Sequence, residues 1–453
     1  MVVERRTEIA ASASALFDWH ARPGAFERLT PPWERVRLQA PHPGIAPGSR
    51  VVLDIGLGPI HQRWVARHES VLPGREFVDV QEEGPFTRWR HTHRFDALGP
   101  DRAALTDRIE CELPGGPLGE LGEPLVRRRL RRVLAYRHAV TAADLDLHAR
   151  TATAPRLTVA ITGASGLIGG TVRAMLTTGG HRVIPLVRRP AAPGEISWDP
   201  GRGQLDPGAL AGIDAVIHLA GENIAGGRWT EAQRGRILSS RIDGTGLIAR
   251  AMAAASPRPR ILLSASAVGF YGDRGDRELD ETAAPGTGFL SEVTRAWEHA
   301  AQPAQDAGIR TVFPRMGVVL SPAGGALARL LPLFQLGLGG PVGAGRQYLS
   351  WISADDCASA LIAMLASDAS GPVNLVAGAV TSSAFAEALG GVLHRPACLP
   401  VPAPALRLVF GQMAEETLLA STRCVPRRLV ESGYSFRHPD LVTAFRHLLG
   451  RDH

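Results

Sequence analysis

The chain has 453 residues, 21% of them charged, with a formal excess of only six positive charges. That length exceeds one ordinary hydrophobic core, so two or three domains are expected, and so dilute a charge gives no argument for nucleic acid by itself. Lysine is absent and all 50 basic residues are arginine, which excludes a Schiff-base lysine, a Walker lysine and lysine-assisted proton transfer.

The opening residues, Met1 to Arg6, carry no apolar core of a signal peptide, and no apolar run reaches membrane-spanning length. Cys111, Cys357, Cys398 and Cys424 are scattered, without a CxxC or a histidine at metal spacing. These features predict a cytoplasmic protein with reduced, buried thiols, no metal site and no membrane partner.

Residues 1 to about 150 differ from the rest. Ser12 to His20 is a short helix candidate. Extended stretches follow at Arg35–Leu38, Val51–Ile55, Arg63–His68, Glu76–Val80, Thr87–Phe95 and Ala104–Leu113. Several alternate with period two, as at Leu105, Asp107, Ile109 and Cys111, which suits an antiparallel sheet wetted on one side. A long helix is expected from Leu121 to about Leu145, with Leu125, Val126, Leu130, Val133, Leu134 and Ala139 on its inner face. Arg127, Arg128, Arg129, Arg131 and Arg132 fall mostly on its other faces, as a solvated surface or as an acid- or RNA-binding patch. No aromatic residues for base stacking accompany them, which argues against nucleic acid.

Thr151 to Arg156 is small, polar and carries Pro155, and it reads as an interdomain linker. Beyond it lies the stretch that organises the chain. Leu157 to Ile161 is a short apolar strand, and Thr162-Gly163-Ala164-Ser165-Gly166-Leu167-Ile168-Gly169 is a glycine turn opening a helix. Leu167, Ile168, Val172, Met175 and Leu176 give that helix an apolar face, and it stops at Gly179-Gly180 before a second strand, Val183–Val187. Strand, glycine turn and helix in that order form the context a dinucleotide fingerprint requires. Gly163 permits the sharp turn, Gly166 the close approach of a pyrophosphate, and Gly169 the packing of helix on strand.

Strand candidates continue at Ala215–Leu219, Ile261–Ser264, Arg310–Phe313 and Pro372–Leu375, with helices at Arg228–Met252, Phe289–Asp306 and Asp355–Leu365. The alternation predicts an α/β Rossmann fold, a doubly wound parallel sheet, behind an α+β domain. Pro185 is a misfit within a central strand.

Two resemblances add to this reading. Helix, curved antiparallel sheet and closing helix, with phrases such as Gly84-Pro85-Phe86-Thr87-Arg88-Trp89-Arg90-His91, resemble the START-like or polyketide-cyclase-like helix-grip domains. That resemblance implies an apolar cavity for a small ligand. From residue 157 onward the chain resembles the extended short-chain dehydrogenase/reductase superfamily, and within it an epimerase-like, NADP-binding branch. The phrases that carry it are the fingerprint, Trp198-Asp199-Pro200, His218-Leu219-Ala220-Gly221-Glu222-Asn223-Ile224, Arg228-Trp229-Thr230-Glu231 and Ser240-Arg241. Ser264 through Gly272, Leu336 through Pro341, Ser350-Trp351-Ile352, and Arg395-Pro396 through Tyr434-Ser435-Phe436 continue it. The implied layout is a ligand-binding domain at 1–150, a linker at 151–156, a Rossmann domain at 157–394 and a small C-terminal domain at 395–453.

The resemblance assigns Leu219, Ala220 and Gly221 to the adenosine ribose, and Arg241, with Arg236 near it, to the nucleotide. Either arginine serves equally well as a surface ion-pair partner. By the same resemblance Val319, after Arg315-Met316-Gly317-Val318, falls in the loop that borders the nicotinamide. The residues themselves favour NADP, because Val187-Arg188-Arg189-Pro190 ends the second strand without the carboxylate that an NAD site places there. Two guanidiniums suit a 2′-phosphate.

Active members of the superfamily use Tyr-x-x-x-Lys with a serine or threonine, and here the pattern departs. Leu290 and Thr294 fall at the two dyad positions. Ser266, Tyr271 and Glu292 are the remaining candidates for catalysis, the serine polarising a carbonyl and the others moving protons, though Tyr271 and Glu292 are as readily structural. Two functions compete: an NADP(H)-dependent oxidoreductase or epimerase-like enzyme acting on a small molecule, and a non-catalytic NADP(H)-binding sensor. Substrate and oligomeric state are not encoded in any motif.

Overall fold

A computed structural model of the chain describes residues 1–40, 44–57, 60–152 and 155–451. The chain divides into two compact units: Met1–Ala154 with Ala174–Gly180 and His447–His453, and Pro155–Arg173 with His181–Arg446. Residues 153 and 154 of the expected linker lie outside the described residues, as do 452 and 453 of the expected C-terminal domain.

In the first unit the elements run β1 (Val2–Ile9), α1 (Ala13–Ala21), α2 (Ala25–Leu29), β2 (Val36–Leu38), β3 (Arg50–Leu57) and β4 (Ile60–Leu72). They continue with β5 (Glu76–Glu83), β6 (Arg88–Gly99), β7 (Arg102–Glu112), a short α3 (Pro117–Glu120) and α4 (Glu123–Arg150). All seven strands form one antiparallel sheet in the order β1-β7-β6-β5-β4-β3-β2. The sequence reading lacked β1, whose charged residues mask a strand that buries only Val3 and Ile9 and pairs along its length with β7. Ser12 caps α1 by accepting from the Ala15 N–H at 3.2 Å. Leu16 and Trp19 of that helix pack with Phe77, Phe95, Leu105 and Leu145.

The inner face expected of α4 needs correction. Leu125 and Ala139 are exposed, while Leu134 is buried. Val126, Leu130 and Val133 are only partly buried because they wall a cavity instead of filling a core. Farther along α4, Asp144 accepts two hydrogen bonds from Arg28 of α2, at 2.8 and 2.9 Å, and both side chains are buried. In the arginine run, Arg127 pairs with Glu123 and Arg129 with Glu34, while Arg128 and Arg131 are exposed.

The second unit begins with β8 (Thr158–Thr162), α5 (Leu167–Thr178), β9 (Arg182–Val187), β10 (Ile196–Ser197), β11 (Ala215–His218), α6 (Glu231–Ala254), β12 (Ile261–Ser264) and β13 (Ser266–Ala267). Then come β14 (Glu278–Leu279), α7 (Phe289–His299), α8 (Gln302–Asp306), β15 (Arg310–Met316), β16 (Val318–Leu320), α9 (Gly325–Gln335), β17 (Tyr348–Ser353) and α10 (Ala354–Ala366). Last among the strands are β18 (Gly371–Leu375), β19 (Gly378–Thr381) and β20 (Arg423–Cys424). The main sheet is parallel throughout, in the order β10-β9-β8-β11-β12-β15-β13, with β18 also paired to β15. This is a Rossmann-like fold. Ala160, Val216, Leu262 and Phe313 from its strands pack with Leu247, Ile248 and Met252 of α6.

Two local departures have simple causes. The expected helix 289–306 is two helices, because Pro303 in the first turn of α8 has no N–H to continue the ladder of α7. Pro185 sits in β9 opposite Ile161, yet breaks nothing. Arg182 bonds toward β8 and Val187 toward the β10 side, so alternation turns Pro185 toward β10, which pairs only with Leu186 and Val187.

Candidate functional site

The carboxyl ends of β8 and β11 meet at Thr162. Its Oγ accepts the N–H groups of Leu219 and Ala220, at 3.0 and 3.1 Å. Its own proton is therefore left for His218 Nδ1, 2.8 Å away. His218 is fully buried, and burial pushes it down to about 4, so the ring is neutral and an acceptor there.

Past Thr162 the chain turns at Gly163, which has a φ of +69°. A side chain on Gly163 would come within 3.2 Å of the Ala220 N and Leu219 C atoms. A Cβ on Gly169 would lie 2.1 Å from the Gly163 carbonyl oxygen, so the first turn of α5 tolerates only glycine. Ser165 and Gly166 are exposed, Leu167 and Ile168 half-buried and Ala164 buried. The turn thus offers open backbone at a helix N-terminus, the cradle a pyrophosphate requires, and the residues present fit a dinucleotide.

Val187 ends β9, and the exposed Arg188 and Arg189 follow. Arg189 is already engaged: Glu195 accepts from both of its terminal nitrogens at 2.7 Å. A carboxylate therefore does stand near the end of β9, eight residues on, holding an arginine. Arg188 has no ion pair among the described residues. Arg241 on α6 is a half-buried fixture, donating to the Glu222 and Ile237 carbonyls at 3.1 Å with its guanidinium 4.9 Å from the centroid of the Trp297 ring. Burial lowers its pKa to about 10. Gly221 lies against that guanidinium, and a Cβ at this position would stand 3.5 Å from Cζ. Arg236 is exposed and hydrogen-bonded to Gln233. Val319, in β16, is half-buried opposite Ile352.

The catalytic candidates do not gather as expected. Ser266 is buried in β13 opposite Arg315, and its hydroxyl donates to Glu298 Oε1 at 2.6 Å. Arg315 donates to both oxygens of Glu298 at 2.8 Å and to the Tyr271 hydroxyl at 3.0 Å. Tyr271 in turn donates to Asn374 Oδ1 at 2.7 Å. With its proton on Glu298, Ser266 is an acceptor in this arrangement, so the donation expected of it toward a carbonyl is replaced by an acceptor's role. Tyr271 is fully buried, and burial pushes it up to about 12 against the pull of Arg315, which makes it a poor base. Glu292 is exposed on α7, so the partial desolvation expected of it is absent. At the dyad positions, Leu290 packs near Gly269 and the buried Thr294 returns its hydroxyl to the Leu290 carbonyl.

Sequence reasoning missed Glu298, Asn374 and Thr162 as organisers. Asn374, a lone amide within the apolar run Pro372–Leu375, was the available signal, because a buried amide needs partners. It finds them in Tyr271 and in the Leu279 and Val425 carbonyls.

Comparison with known proteins agrees with this anatomy. Residues 159–378 match the NAD dependent epimerase/dehydratase family, residues 9–135 the polyketide cyclase/dehydrase and lipid transport family, and residues 401–448 a domain of unknown function. A crystal structure described as a nucleoside-diphosphate sugar epimerase from Corynebacterium glutamicum is 34% identical, covers 99% of this chain and 90% of its own, and superposes with a TM-score of 0.82. The human epimerase family protein SDR39U1, solved with NADPH, is 34% identical over 64% of this chain and 99% of its own, with a TM-score of 0.60. An epimerase family protein of Mycobacterium bovis is 46% identical over 283 residues, 62% of this chain and 93% of that protein. With a strand-turn-helix cradle in the second unit and relatives of this identity along nearly their whole length, the chain belongs to the NAD dependent epimerase/dehydratase family.

Proposed function

We propose that the second unit binds NADP(H) in preference to NAD(H) and serves oxidoreductase or epimerase-like chemistry on a small molecule, without a Tyr-Lys dyad and without nucleic acid or membrane partners. One observation carries the cofactor choice: Arg188 follows β9 exposed and without an ion pair among the described residues. A guanidinium in that position suits a 2′-phosphate dianion. The human relative solved with NADPH supports the same reading.

When bound, the nicotinamide supplies or accepts hydride. Gly163, Gly166 and Gly169 cradle the diphosphate with Ala164, Ser165, Leu167 and Ile168, while Leu219, Ala220 and Gly221 border the ribose. Arg241 braces that border from below through the Glu222 carbonyl. Proton movement falls to Ser266 and Glu298. A substrate hydroxyl donates to Ser266 Oγ while Ser266 passes its own proton to Glu298, 2.6 Å away. Arg315 holds that carboxylate in place with two hydrogen bonds.

Calorimetry tests the cofactor, with tighter binding of NADPH than NADH expected. Arg188→Ala should cut the preference by roughly 10- to 100-fold, the worth of about 1.5–3 kcal/mol for a hydrogen bond to a charged group. Equal affinities in the parent protein overturn the assignment. Transfer of deuterium from a panel of carbinol-deuterated alcohols to NADP tests the chemistry: Ser266→Ala should slow it, and Glu292→Gln should leave it unchanged. A second reading, the NADP(H)-binding sensor, is favoured by the sealed Tyr271 and the inward-turned Thr294. Tight NADPH binding with no turnover across the panel decides for it.

A further inference from the structure

β6 presents Trp89, His91, His93 and Phe95 to the interior of the first unit at alternate positions. Strand pairing sets Asp79 of β5 opposite His91, and Asp107 of β7 opposite His93. Two histidines and two carboxylates from three neighbouring strands are thereby brought together. His91, His93 and Asp107 are each at least nine-tenths buried.

The distances separate two kinds of contact. His91 Nδ1 and His93 Nε2 converge on one atom, Asp79 Oδ2, at 3.6 and 3.4 Å. Those spans are long for hydrogen bonds, which run to about 3.2 Å. They match the edge of a tetrahedron around an ion whose bonds are about 2.1 Å, since that edge is about 3.4 Å. A ligand atom from each of Asp79, His91 and His93 lies within 4.8 Å of the others. Behind the histidines stands Asp107, its Oδ1 at 2.7 Å from His93 Nδ1 and 3.6 Å from His91 Nε2. Its other oxygen is 3.2 Å from His138 Nε2, and His138 Nδ1 meets Thr7 Oγ at 2.8 Å. A carboxylate on the far nitrogen is what orients an imidazole toward a metal. His91 Nε2, His93 Nδ1 and Asp107 Oδ1 are buried without a well-aligned hydrogen bond, so close charge contacts alone hold these atoms.

We propose that Asp79, His91 and His93 bind one divalent first-row transition-metal ion of the zinc or ferrous class, with Asp107 as the positioning carboxylate. Two imidazoles and one carboxylate leave at least one coordination position for an exogenous oxygen ligand. The three ligands line a cavity of about 360 Å³ whose remaining walls include Phe26, Val51, Trp64 and Leu130. The open position thus serves a small molecule with an apolar body and an oxygen head. Spacing rules for cysteine and histidine pass over this site because its ligands are an i, i+2 pair on one strand and a residue of the next.

The test uses the full-length chain, stripped with a chelator and titrated with Zn²⁺ by calorimetry and with Co²⁺ by visible absorption. One equivalent is expected, with a ligand-field spectrum of low-coordinate cobalt. Asp79→Asn and His93→Gln should each abolish stoichiometric binding. Asp107→Asn, which leaves all three ligands in place, should weaken it by about 10- to 100-fold. That variant keeps the test decisive where a ligand substitution fails to fold. NADPH affinity, measured alongside, should be unchanged. Absence of stoichiometric binding in the parent, or binding that all three substitutions leave intact, overturns the proposal.

Discussion

Each unit of this protein buries a cluster of charged and polar side chains, and the two clusters are finished differently. In the second unit, Ser266, Glu298, Arg315, Tyr271 and Asn374 form a chain in which each donor meets an acceptor at 2.6–3.1 Å. In the first unit, Asp79, His91, His93 and Asp107 leave ring nitrogens and a carboxylate oxygen without aligned partners around an open cavity. Burial of polar groups is costly in both places, and aligned hydrogen bonds recover it fully only in the second unit. A saturated cluster holds its members in place, the Ser266–Glu298 pair among them. An unsaturated one, lining a cavity, is built for something that arrives.

The largest effect should come from breaking the saturated cluster. Glu298→Gln leaves Arg315, 3% exposed, without its counter-charge. The expected loss is about 3–5 kcal/mol of stability, read by urea denaturation followed in the second unit. A loss below about 1 kcal/mol would mean that Arg315 does not depend on Glu298 for its counter-charge.

His218 stands between the two cases, with one nitrogen bonded to Thr162 and the other unpartnered. Its folded pKa of about 4 lies below the unfolded value of 6.5, so the neutral ring is native and the unfolded state takes the proton first. Stability is therefore whole above pH 6.5 and falls as pH drops from 6.5 toward 4, by up to about 3 kcal/mol. Melting temperature against pH measures this, and a His218→Gln variant should show a flatter profile across that window. The smallest effect is expected at Tyr271→Phe, which leaves Asn374 Oδ1 short of its donor at a cost of about 1–3 kcal/mol. Its melting curve should shift while NADPH binding stays as it was.

What the sequence made legible follows the same division. The glycine turn could be read because its constraint is local: Gly163 and Gly169 answer to backbone atoms within a few residues or on the next strand. The strand-helix alternation of the second unit could be read for the same reason. Tyr271 was misread as a candidate base because the amide that seals it, Asn374, lies 103 residues away. Leu125 was assigned to a core and is exposed, since the face of α4 that lines the cavity runs through Val126, Leu130 and Val133 and leaves Leu125 outside it. The strand β1 was invisible because its partner β7 supplies the regularity that its own charges obscure. His91 and His93 look unremarkable along the chain and acquire meaning only through the pairing of β5, β6 and β7.

The sealed phenol of Tyr271 has a consequence for the molecule as a polyelectrolyte. Lysine, which ordinarily titrates near about 10.4, is absent. Burial pushes Tyr271 and Tyr434 upward, and does the same to the thiols of Cys111, Cys357 and Cys424. Most of the groups that give a protein its alkaline buffering are therefore missing or silent. Its positive charge rests on guanidiniums that hold their protons in alkali, so its electrophoretic mobility and its retention on a cation exchanger should stay nearly flat where those of a lysine-bearing protein decline.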